Sequence, residues 1–132
     1  MRTVLATTGA TVLALGLLAA SASSASAAGG GGDVRSSGSC SATSDWKLKA
    51  KPDNGRLQVE FQVDSNVVGQ TWSVTLGDNG ARVFSGTRMT VAPSGSFTVA
   101  KKIANRAGAD RIVAKAMNAA SGETCTGMVV IP

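Results

Sequence analysis

Histidine and tyrosine are absent from this 132-residue chain, cysteine occurs twice, proline three times, and aromatic residues make up only 4%. Without His there is no ordinary general base near neutral pH, no Ser-His-Asp or Cys-His nucleophile and no imidazole metal ligand. Catalysis would fall to carboxylates, Lys or Ser alone. The eight acidic residues are spread through turns and strand faces, and the spacing sets no pair for acid/base work. Asp53 and Asp78 each open an Asp-Asn-Gly turn, where local hydrogen bonding accounts for them. Neither a D-x-D-x-D-G loop nor a Cys/His cluster occurs. The expectation is a non-enzymatic protein with no cofactor and no metal.

Long apolar runs are missing too, except at the start. Met1-Arg2-Thr3 gives a short positive beginning, Val4 to Ala20 is apolar but diluted by Thr and Gly, and Ala25-Ser26-Ala27 has the A-x-A form of a cleavage site. This is the pattern of a secretory signal peptide, residues 1–27, cut after Ala27 with Ala28 as the alternative. The remainder carries 12 basic and 8 acidic side chains, a net +4, and has no run of membrane-spanning length. A secreted, extracellular protein without a membrane span in its mature form is expected. Residues 28–39, beginning Ala28-Gly29-Gly30 and rich in Gly and Ser, read as a flexible leader, which leaves one domain over 40–132.

Cys40 and Cys125 stand at opposite ends of that domain, and export would carry them to an oxidising compartment. A single disulfide is expected. It would close a loop of about 85 residues, for which loss of denatured-chain entropy gives roughly 4 to 5 kcal/mol.

Between the cysteines the apolar residues recur with a period of two. Trp46, Leu48 and Ala50 alternate with Lys47, Lys49 and Lys51; Leu57, Val59, Phe61 and Val63 alternate with polar residues. Successive side chains of a strand point to opposite faces, so each set lines one face. Further strands follow at Thr71 to Gly77, Ala81 to Gly86, Ser96 to Ile103, Arg111 to Asn118 and Thr124 to Ile131, separated by turn residues such as Asp53-Asn54-Gly55 and Asp78-Asn79-Gly80. About seven short strands without helical periodicity predict an all-β, immunoglobulin-like (fibronectin type III-like) antiparallel β-sandwich. In that order the first and last strands can lie side by side and parallel, which would bring the cysteines together. Trp72, inward on the third strand, is assigned to packing.

Two surface features are candidates for binding. Lys47, Lys49 and Lys51 would project from one strand face about 6.5 to 7 Å apart. Such a row suits an anionic wall or matrix polymer, whereas on an edge strand it would guard against edge-to-edge pairing. With a net +4 and no interleaved aromatics, nucleic acid is not expected as a partner and the edge guard is the preferred reading. Val113 and Met117, with Met128 and Val130 on the next strand, fall on the outward phase. Combined they would make a partner face or a homodimer seam; separated, they are ordinary exposed apolar residues.

Cys40-Ser41-Ala42, Trp46-Lys47-Leu48-Lys49, Trp72-Ser73-Val74-Thr75, Ala92-Pro93-Ser94-Gly95-Ser96-Phe97 and Gly122-Glu123-Thr124-Cys125 resemble segments of small secreted actinobacterial proteins with one terminal disulfide and no assigned activity. That resemblance implies a sandwich and no mechanism. The Cys-Ser-Ala start, the Trp-x-Val-Thr strand and the late Cys are also similar to terminal-disulfide bacterial cellulose-binding modules. Those bind sugar rings on a row of exposed Trp, whereas here Trp46 and Trp72 both take inward phases. The neocarzinostatin-type carriers share the architecture with two disulfides in place of one. The functional expectation is an extracellular interaction or structural role, toward a protein or a polysaccharide, with a carbohydrate or anionic wall-polymer binding module as the alternative.

Overall fold

Alternating apolar residues become eight strands in the computed structural model, which describes residues 32–132: β1 Val34–Ser39, β2 Asp45–Asp53, β3 Arg56–Asp64, β4 Thr71–Asp78, β5 Ala81–Met89, β6 Ser96–Ala104, β7 Asp110–Asn118 and β8 Thr124–Ile131. The signal segment 1–27, with its cleavage site, and residues 28–31 of the leader lie outside the described residues. The strands form two four-stranded antiparallel sheets, β1-β2-β3-β6 and β5-β4-β7-β8.

The expected hairpin chemistry holds at both Asp-Asn-Gly turns. Asn54 and Gly55 have φ of 52° and 79°, and Asn79 and Gly80 have 51° and 88°. Positive φ at both central positions matches the right-handed twist of the flanking strands, and Asn and Gly enter that region at least cost. Between the sheets Leu48, Leu57, Phe61, Trp72, Leu76 and Ile112 are fully buried. Trp72 is a packing residue: its ring lies 6.2 Å from that of Phe97, and its indole N–H donates to Gln70 Oε1 at 3.4 Å.

Three expectations need correction. There are eight strands, not seven, because Val34–Ser39, assigned to the flexible leader, forms β1 and pairs antiparallel with β2. This strand has only Val34 as a large apolar residue, and where it passes over Trp46 it must be small: a side chain at Gly38 would meet the indole at 3.0 Å. Second, β8 forms no strand ladder with β1 or β2; they belong to different sheets. The Cys40–Cys125 bridge, present as expected with Cα atoms 4.3 Å apart, therefore crosses between sheets at their shared edge. Ser36 Oγ donates to Met128 O at 2.9 Å along the same edge. Third, β2 is an interior strand flanked by β1 and β3, so Lys47, Lys49 and Lys51 guard no edge. On the other side of the sandwich the edge strands are β5 and β6. There Arg88 and Lys101 occupy inward-phase positions, and the Arg88 guanidinium lies 5.2 Å above the Phe84 ring. Inward charge on an edge strand is a known bar to pairing with another sheet.

Candidate functional site

The β3–β4 and β5–β6 connections both cross from one sheet to the other at the same end of the sandwich, and they are hydrogen-bonded into one crest. Ser65 N donates to Gly95 O at 3.0 Å, Gly69 N to Thr90 O at 2.8 Å, and Thr90 N to Gln70 O at 2.8 Å. Thr90 is buried and its hydroxyl is shared between Gln70 N and Val67 O. Gly95 presses so close to the facing loop that a Cβ there would lie 2.7 Å from the Asn66 carbonyl carbon. From this fixed base Val67, Val68, Met89 and Val91 are 50%, 54%, 55% and 56% exposed. No charged residue occurs from Ser65 to Gly77 or from Met89 to Ala100. Behind the crest Asp45 and Asp64 face each other across β2 and β3, on the solvent side, and neither joins an ion pair among the described residues. The sequence carried a signal for this crest in Val67-Val68, two large apolar residues placed inside a loop just before a turn Gly.

Lys47, Lys49 and Lys51 do share the outer face of β2, as their spacing implies. Register places Arg35 and Glu60 beside Lys49, Ser37 and Gln62 beside Lys47, and Gln58 beside Lys51. The result is a flat polar face with a shallow trough of about 450 Å³ lined by Arg35, Ser37, Lys47, Lys49, Gln62 and Thr98 among others. Glu60 offsets Lys49 at 3.8 Å, and Asp53 pairs with Lys102 at 3.2 Å. Lys47 and Lys51 form no ion pair among the described residues.

On the outer face of the second sheet Val113 and Met128 are directly opposite each other, and Val130 follows Met128 on β8 opposite Arg111. These three are contiguous. Met117 is set apart by the Lys115 and Thr126 pair and stands opposite Thr124. The structure thus brings together three of the four residues of the expected apolar face. Arg111 and Lys115 flank Val113 on β7, and Arg82 lies beyond Gly77 on the other side. None of these three cations is ion-paired among the described residues.

At the end opposite the crest the reading of Asp78 as a hydrogen-bonded turn residue fails. Its side chain is fully buried and accepts no turn N–H; both of its oxygens and Asp110 Oδ2 lack a hydrogen-bond partner. Burial, then the adjoining Asp110 carboxyl, pushes the Asp78 carboxyl up to about 6, against the pull of Arg106, whose Nε lies 3.4 Å from Asp78 Oδ2. Asp110 Oδ1 accepts from Arg106 N at 3.3 Å. The pair is 32 residues apart in sequence and was invisible as a pair for that reason. No group of three or more His, Cys, Asp or Glu side chains that could hold a metal occurs among the described residues.

Compared with protein-family models, with curated proteins and with solved structures, the chain finds no match. What stands of the resemblances is the two-sheet antiparallel sandwich with a disulfide joining near-terminal strands.

Proposed function

We propose that the chain is an exported, non-enzymatic sandwich of the immunoglobulin-like kind that binds another extracellular molecule through its loop crest. Setting β1 aside, β2-β3-β6 facing β5-β4-β7-β8 agrees with that fold, as does a buried Trp on β4. The observation that carries the binding reading is the crest itself: Val67, Val68, Met89 and Val91 held about half exposed on two loops locked together by backbone hydrogen bonds. Exposed apolar residues gathered on an uncharged surface mark contact sites. A surface already fixed loses little conformational freedom on binding. The acidic pair Asp78 and Asp110 is closed off from solvent and could not touch a substrate, which favours binding over catalysis.

The test is site-specific photo-crosslinking in cells that make the protein, with a photoreactive residue at Val68 and a control at Ala104 on the opposite end. Protein adducts at Val68 and not at Ala104 are expected. Absence of adducts at Val68 would overturn the proposal.

A second reading is supported by the interior position of β2. The Lys row guards no edge, and the polar face around Lys47 offers cations and amides to a carboxylated or phosphorylated wall polymer.

A further inference from the structure

We infer that the partner of the crest is a second copy of this chain, held head to tail, with the crest of one molecule seated on the Val113, Met128 and Val130 face of the next. This rests on the crest being a binding surface. Among the described residues seven large apolar side chains are exposed: Val67, Val68, Met89 and Val91 on the crest, and Met117, Met128 and Val130 on β7 and β8. Met117 stands apart from the rest, so among the described residues the molecule displays two apolar surfaces, the crest and the face of Met128 and Val130 beside Val113.

The charges around the two differ: beside the crest two carboxylates stand next to a single cation, Lys47, whereas the other face is ringed by cations alone. Beside the crest Asp45 and Asp64 stand directly opposite each other, a like-charge cross-strand arrangement that is unfavourable in the isolated sheet. Around Val113 and Met128 stand Arg111, Lys115 and Arg82, all exposed. Neither group is ion-paired among the described residues. Each surface thus lacks what the other supplies, apolar area against apolar area and carboxylates against cations. Complementary potential of this kind selects the partner and fixes its register. The surfaces lie on different parts of one molecule, so the contact is heterologous: it leaves one crest and one face free and propagates into a chain or closes into a ring. A symmetric dimer across the β7–β8 face would instead set Arg111 and Lys115 against their own copies.

Sedimentation velocity over a concentration series, up to about 1 mM, reads the association directly. The variants are V68D on the crest and M128D on the face; both positions are exposed, and circular dichroism melts confirm that each variant folds. The wild type is expected to gain average mass with concentration and to lose that gain in high salt. Each variant alone should remain a monomer, because one half of the contact is spoiled in every molecule. An equimolar mixture should form a species of twice the monomer mass and nothing larger, since only the intact crest of M128D and the intact face of V68D can join. A wild type that stays monomeric, a V68D protein that still associates, or a mixture that stays monomeric would each overturn the inference. Adducts at Val68 to a different protein, with a monomeric wild type, would leave the crest as a binding surface and remove the second copy.

Discussion

Asp78 and Asp110 lie together in the floor of the sandwich with three of their four carboxylate oxygens lacking a hydrogen-bond partner and only Arg106 to offset them. A carboxyl buried in this way beside another acidic side chain is costly to ionise, so Asp78 favours its protonated form.

The direction of the resulting pH dependence follows. The Asp78 carboxyl titrates near about 6 in the folded protein against an ordinary 3.8, so the folded state binds the proton more tightly. Its stabilising contribution is complete below about 3.8 and is lost as pH rises through about 6. Thermal stability should increase from pH 7 to pH 5. Asp78→Asn, which imitates the protonated acid, should raise stability at pH 7 by on the order of 1–2 kcal/mol and flatten that increase. Melts of both proteins at the two pH values measure it, and an unchanged slope in the variant would exclude Asp78 as the source of the pH dependence.

The inner face of β8 is open at Gly127 because the six-membered ring of Trp46 fills the space. A Cβ there would lie 2.7 Å from Trp46 Cε3. Gly127→Ala should cost about 1–3 kcal/mol through overpacking. In a Trp46→Phe background the same change should cost clearly less, a coupling that urea unfolding of the four proteins would reveal.

Glu123 clasps the disulfide loop. Its carboxylate accepts from Ala42 N at 3.2 Å, Ser44 N at 2.8 Å and Ser44 Oγ at 3.0 Å. Glu123→Ala leaves those donors unpaired and should destabilise by about 1–3 kcal/mol. Because the Cys40–Cys125 bridge holds the same corner, the loss should change when both cysteines are Ser. Additive losses in chemical denaturation would show that clasp and bridge act independently.

Retention on an insoluble acidic polysaccharide tests the Lys row. If the face around Lys47 binds polymer, retention should fall steeply with salt, and Lys47→Glu with Lys51→Glu should abolish it while leaving the melting temperature unchanged. Retention equal in wild type and double variant would eliminate the row.

How much of this could be read from the sequence depended on how local the cause was. The hairpins were legible because Asn54-Gly55 and Asn79-Gly80 carry their own backbone preference. The seven apolar strands were legible because burial imposes period two on Leu57 to Val63 and their like. β1 was not, since an edge strand packed over Trp46 must use Gly and Ser, the composition of a linker. The Lys row was located correctly but assigned an edge that β1 occupies. The crest and the Asp78 and Asp110 pair arise from residues 20 to 32 positions apart brought together by crossovers and loops, and no spacing rule marks them.

Strand direction decides how the molecule can be displayed. β1 begins beside Ala50 and β8 ends beside Asp110, so the described chain both enters and leaves at the floor, remote from Val67 and Val91. Anything joined at residue 32 or Pro132, whether a tag, a surface linkage or a neighbouring module, would hold the sandwich like a stem holds a bud, with the uncharged loops outermost.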